Sequence, residues 1–190
     1  MKSAYVFLAD GFEDVEAVTP IDYLRRAGIE TVAVGVTGIT VRSSHQVSIV
    51  CDASLDSLKS APFPDLIVFP GGMKGAENLA SSVSLRDFTA RFFAAKKHVG
   101  AICAAPAVVL GAWGHLSGRI WTCYPGCEGS LDVRPSGARV VTDGNLTTAR
   151  GPGAAEEFSL ELIGIICGRE KSAEVAAGIL ARPFGNESAT

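Results

Sequence analysis

Apolar and polar residues along the chain fall into blocks whose period changes from one block to the next. Ala4 to Ala9 (AYVFLA) is continuously apolar, as expected of a strand buried on both faces. From Asp14 to Ala27 the apolar residues recur at Val15, Val18, Ile21 and Leu24, the spacing of one helix face, and Gly28 closes the segment. Thr31 to Val36 is a second buried run, and the more polar Thr40 to Val50 predicts a small hairpin or edge. Leu66 to Phe69 is a short buried strand leading into Pro70-Gly71-Gly72. Ser84 to Lys97 reads as a helix opened by the capping pair Ser84 and Asp87, followed by a strand at Val99 to Ile102. Asp143-Gly144 between strand-like flanks in Val140 to Thr148 is a hairpin signal. Gly153 to Cys167 and Glu170 to Leu180 close the chain as helices, before a loose tail.

Strands alternating with helices imply right-handed βαβ units and a doubly wound, mostly parallel sheet sandwiched by helices, the small hairpin beside it. The expected organisation is one α/β domain over residues 1–181 with a tail at 182–190. Ligands of such sheets bind beyond the carboxyl ends of the strands. That singles out the loops after Ala9, Phe69 and Ile102.

Composition narrows the function classes. Of 190 residues 47% are hydrophobic and 19% charged, a globular balance with a net charge of -3. With no basic run longer than Lys96-Lys97, neither nucleic acid nor an anionic membrane is expected as a partner. No apolar stretch suits a bilayer span and nothing resembles a signal peptide, so the cytoplasm is the expected location. Five cysteines, an odd number, argue for free thiols. Cys123-Tyr-Pro-Gly-Cys127 has one residue too many for a C-x-x-C half-site, so two loop thiols are expected there and no metal.

Cys103 stands where a buried strand gives way to a helix, a position usually held by a capping Ser, Thr, Asp or Asn. Such a turn can project a nucleophile above the sheet. The first helical N–H groups, from Ala104 and Ala105, would point at the sulfur, and the helix dipole would lower the thiol pKa. Gly71 and Gly72 end the neighbouring strand, and the amides of Gly72 and Ala104 could build an oxyanion hole. A buried inert cysteine beside a plain turn is the competing reading. Glu16, whose carbonyl loses its helical partner to Pro20, could bring a carboxyl near the thiol.

These residues carry a resemblance. Asp10-Gly-Phe-Glu-Asp-Val-Glu16, Asp22-Tyr-Leu-Arg-Arg-Ala-Gly28, Asp52-Ala-Ser-Leu55, Phe69-Pro-Gly-Gly72 with Gly75-Ala-Glu-Asn-Leu79, Ala101-Ile-Cys-Ala-Ala-Pro106 and Arg150-Gly-Pro-Gly153 stand in order along nearly the whole chain. The chain resembles the ThiJ/PfpI superfamily, in the branch of the Parkinsonism-associated protein deglycase and its bacterial relatives. The resemblance implies a flavodoxin-like fold, a homodimer, and no metal or organic cofactor. It makes Cys103 the reactive thiol, Glu16 its hydrogen-bonded carboxyl, and Gly72 and Ala104 the flanking amides. Glu13, Gly71, His45 and Tyr124 match positions around the substrate. The implied activity is cofactor-free conversion of methylglyoxal-type dicarbonyls, or repair of early glycation adducts, in carbonyl and oxidative stress.

Two positions depart from the pattern. Tyr124 stands where some relatives have a histidine, which shifts acid–base work onto Glu16. His45 replaces a pocket arginine and could equally be an ordinary surface residue. His98 and His115 read as surface positions at element ends. A redox sensor or chaperone acting through Cys103 oxidation is the alternative function. Cysteine protease or amidotransferase chemistry is disfavoured, because Ala104 and Tyr124 stand where those enzymes keep histidine.

Overall fold

The computed structural model describes residues 1–58, 61–129, 131 and 135–182. Seven strands form one sheet: β1 (Ser3–Leu8), β2 (Glu30–Gly35), β5 (Ala53–Ser54), β6 (Leu66–Phe69), β7 (His98–Ile102), β8 (Val140–Asp143) and β9 (Leu146–Ala149). Their order is β5-β2-β1-β6-β7-β9-β8, with every pairing parallel except β8 with β9. β3 (Thr40–Arg42) and β4 (Ser48–Val50) make a separate antiparallel pair, the small hairpin expected from the polar pattern. The fold is flavodoxin-like α/β.

Each central strand is buried along its length because it is covered on both sides. α1 (Asp14–Arg26), α4 (Ala155–Cys167) and α5 (Arg169–Gly178) pack together, and Phe158 of α4 lies against Gly100. On the opposite face α2 (Met73–Ser81) and α3 (Val83–Ala94) cover a layer of aromatic rings. There Phe7 stacks on Phe69 at 5.5 Å and meets Phe88 edge-on at 5.7 Å. Burying such rings is the main apolar contribution to holding β1, β6 and α3 together.

Several local expectations change. α2 was not anticipated: only Gly75, Ala76 and Leu79 are buried along it, too weak a stripe to announce a helix. α3 starts earlier than the Ser84–Asp87 pair implies, because Ser82 is the cap and accepts from the Leu85 N–H at 3.3 Å. The segment after Cys103 is π-helical at Pro106–Gly111, not a regular α-helix. His98 is buried rather than exposed, its Nε2 2.8 Å from Thr147 Oγ1. His115 is half-buried, stacked on Phe93 at 4.4 Å between ring centres. Of the predicted tail, residues 183–190 lie outside the described residues.

Candidate active site

The chain leaves β1, builds β2 on one side of it, and returns to build β6 on the other. This places a crevice between the carboxyl ends of β1 and β6, where ligands of doubly wound sheets bind. The two loops lining it are joined by backbone hydrogen bonds, Glu13 N–H to Gly71 O at 3.0 Å and Gly75 N–H to Gly11 O at 3.1 Å. Gly72 has φ of +82°, and a Cβ there would meet Gly11 O at 2.4 Å and Glu13 N at 2.8 Å. Only glycine lets the loops close this far.

Glu13 caps α1 with its side chain, accepting the Glu16 N–H at 2.9 Å. Glu16, one turn into the helix, is fully buried and points into the crevice, where Oε2 accepts the Gly71 N–H at 2.9 Å. Its carboxyl also faces the Cys103 thiol, with which it interacts, while Oε1 is buried with no hydrogen-bond partner among the described residues. Burial pushes the Glu16 carboxyl from its ordinary 4.5 up to about 7, against the thiol interaction, with the Glu13 charge adding to the rise and the Gly71 amide opposing it.

Cys103 sits at the end of β7 with φ of +64°, a left-handed conformation that costs a non-glycine residue on the order of 1–3 kcal/mol. Both of its backbone polar groups are tied down. Its N–H donates to Ala149 O at 2.9 Å and its C=O accepts from Tyr124 N–H at 2.8 Å. The sulfur meets the amides of Gly72 and Ala104. The turn therefore holds the side chain as a nucleophile elbow does.

One electrostatic expectation is overturned. The thiol pKa is raised, not lowered: burial dominates, the facing Glu16 carboxylate adds to it, and the Gly72 and Ala104 amides only partly oppose them. Cys103 is 8% exposed, so the thiol is largely covered. Two negative charges so close in a buried site are unfavourable, so the pair retains a proton between them. Of the helix amides, Ala104 bonds the sulfur, partnered by Gly72 rather than Ala105.

Gly71 lies between the two groups: a Cβ on it would sit 2.6 Å from Glu16 Oε2 and 2.7 Å from Cys103 Cβ. Tyr124 is half-exposed and its ring stands over Gly151. His45 is exposed and hydrogen-bonds Asp14 Oδ2 at 3.1 Å, with Ser44 Oγ 3.3 Å away. Its partners are thus the rim of α1 rather than the thiol. Glu13, Asp14 and His45 each bring a possible ligand atom within 4.8 Å of the others. Two neighbours escaped sequence reasoning. Cys127 feels the Glu16 charge, and Arg150 follows the strand whose end anchors Cys103. The only signal for Arg150 was its place in the Arg150-Gly-Pro-Gly153 motif.

A strained thiol turn at the carboxyl end of a parallel sheet, with a buried carboxyl and two amides on its sulfur, defines an α/β protein of the nucleophile-elbow kind. The chain belongs to the DJ-1/PfpI family, whose pattern matches residues 2–164. It is 40% identical over 183 residues to Drosophila melanogaster protein dj-1beta, covering 94% of this chain and 97% of that protein. A crystal structure of Drosophila melanogaster DJ-1beta superposes with a TM-score of 0.90 at 39% identity, covering 96% of this chain and 99% of that one. Arabidopsis thaliana Protein DJ-1 homolog A is 39% identical across all of this chain, which spans 49% of that longer protein. A Caenorhabditis elegans relative named glutathione-independent glyoxalase DJR-1.2 is 30% identical over 175 residues, 90% of this chain and 92% of that protein.

Proposed function

We propose that the protein is a cysteine-dependent, glutathione-independent glyoxalase acting on methylglyoxal-type dicarbonyls or the early adducts they leave on proteins. The observation that carries this is the fully buried Glu16 carboxyl set against Cys103 across Gly71, beside the Gly72 and Ala104 amides. As the sulfur adds to the aldehyde carbon, its proton passes to the Glu16 carboxylate, which is half-ionised near neutral pH. The resulting hemithioacetal oxyanion lies against the two amides. Glu16 returns its proton to that oxyanion and, as a carboxylate again, moves a proton from the former aldehyde carbon to its neighbour through an enediol, leaving a 2-hydroxy thioester on Cys103. Water hydrolyses it, releasing the hydroxy acid and restoring the thiol. Each step uses groups of this chain and water.

The relative named as a glyoxalase supports the reading. The test is lactate formation from methylglyoxal without glutathione by wild type, Cys103→Ser and Glu16→Gln. Turnover by wild type that both variants lose is expected, and wild-type output equal to that of Cys103→Ser overturns the reading.

The protein works as a homodimer in this account. Val15 and Val18 on α1 and Val47 and Val50 on the β3–β4 hairpin are exposed apolar residues, and the hairpin turn is tied to the start of α1 through Ser44 N–H to Phe12 O at 2.8 Å. Sedimentation of wild type against Val18→Glu with Val50→Glu reads this directly. The cytoplasm suits its five unpaired thiols, and among the described residues no helix is long and apolar enough to cross a membrane.

A further inference from the structure

Cys103 anchors two walls of an open cleft. Its N–H holds Ala149, which leads into Arg150 and Gly151, and its C=O holds Tyr124. Between these walls lies a space of about 390 Å³ lined by Tyr124, Arg139, Arg150, Gly151 and Pro152. This is within the size range of small-molecule sites, roughly 300–1,000 Å³. It is more room than methylglyoxal needs.

The lining donates far more than it accepts. Arg139 is neutralised by Glu157, with Nε 3.0 and 2.8 Å from the two carboxylate oxygens, and its Nη2 bonds Gly153 O. Arg150 has no carboxylate partner among the described residues, and its hydrogen bond runs from Nη1 to Gly137 O at 3.2 Å. The short turn Pro152–Ala154 and α4 behind it have no side-chain cap. Of the acidic residues in the first turn of α4, Glu157 is held by Arg139 and Glu156 accepts from the Tyr23 hydroxyl at 3.1 Å. Among the described residues, one guanidinium is left with most of its five donors without a partner, a planar fork suited to a single carboxylate.

We propose that this cleft is a carboxylate subsite of the Cys103 centre, in which Arg150 holds the acid group of a dicarbonyl whose aldehyde end reaches the thiol. The inference rests on the glyoxalase reading and names its substrate class: 2-oxoaldehydes that carry a carboxylate. A single unneutralised cation matches that monoanion better than a phosphate dianion.

The probes are 4,5-dioxopentanoate, a 2-oxoaldehyde ending in a carboxylate, and its neutral methyl ester. Wild type is expected to favour the acid by about tenfold to a hundredfold in kcat/KM, mainly through KM, as charge-assisted hydrogen bonds imply. In Arg150→Gln the acid-to-ester preference collapses toward one, while Arg150→Lys retains part of it. Equal use of acid and ester by wild type overturns the proposal. So does an Arg150→Gln variant in which both substrates lose activity in equal measure, the mark of a structural role. If wild type turns over neither probe nor methylglyoxal, the glyoxalase reading fails first, and binding of 2-hydroxyglutarate to Cys103→Ser by calorimetry decides the subsite separately. Saturable binding weakened in Cys103→Ser/Arg150→Gln upholds it, and no binding overturns it.

Discussion

Gly71 and Glu16 are joined by a hydrogen bond that leaves no room for a side chain: the Gly71 N–H donates to Oε2 at 2.9 Å, and a Cβ on Gly71 would fall 2.6 Å from that oxygen. The same Cβ would press on Cys103. Gly71→Ala is therefore expected to push thiol and carboxyl apart and lower kcat/KM for methylglyoxal by about a hundredfold, the scale set by displacements near 1 Å. Steady-state kinetics beside a thermal melt read the outcome. A variant that folds and keeps wild-type turnover contradicts the geometry.

Glu16 also has a thermodynamic signature. Its carboxyl ionises at about 7 when folded and near 4.5 when unfolded. The unfolded chain therefore holds fewer protons between those values, and stability falls as pH rises through that window. Glu16→Gln is free of this penalty. It should gain up to about 3 kcal/mol on wild type above pH ~7, on the order of 1.4 kcal/mol per unit, and little at pH ~4.5. Urea melts of the two proteins at both pH values check it.

The same substitution separates thiol acidity from catalysis. After burial, the Glu16 charge is the next cause of the raised Cys103 pKa. Glu16→Gln should thus lower the thiol pKa, read as thiolate ultraviolet absorbance against pH, while abolishing turnover for want of a proton carrier. A thiol pKa that rises instead contradicts the assignment.

His98 acts at the other end of the pH scale. Burial lowers its pKa from 6.5 to about 4, only partly offset by the Glu161 charge, so the unfolded chain takes up a proton that the folded one refuses. The stability is present above pH ~6.5 and lost as pH falls toward 4, by about 3 kcal/mol in all. His98→Asn should flatten that acid limb in denaturant melts between pH ~7 and ~4.

Much of this architecture is legible in the chain because β1, β6 and β7 are unbroken apolar runs separated by glycine-bearing turns. α2 was hidden because its buried side is built from Gly75, Ala76 and Leu79, which carry little hydrophobic contrast. His98 follows Lys96-Lys97 and looks like a surface residue, and its burial depends on Thr147, 49 positions away. The site divides in the same way. Cys103 and the glycines announce themselves locally, whereas residue spacing left Glu16 only a possibility and the family resemblance supplied its partner. The sign of the thiol pKa was missed because a helix dipole can be inferred locally. Burial and a carboxylate 87 residues back along the chain cannot be.

The most direct test of the account is the pH profile of lactate formation from methylglyoxal, without glutathione, with the Cys103→Ser rate subtracted. Activity that rises through pH about 7 in wild type, and vanishes in Glu16→Gln, is the predicted result. No lactate beyond the serine variant, or a profile indifferent to Glu16, would contradict the central claim that the Cys103–Glu16 pair carries the chemistry.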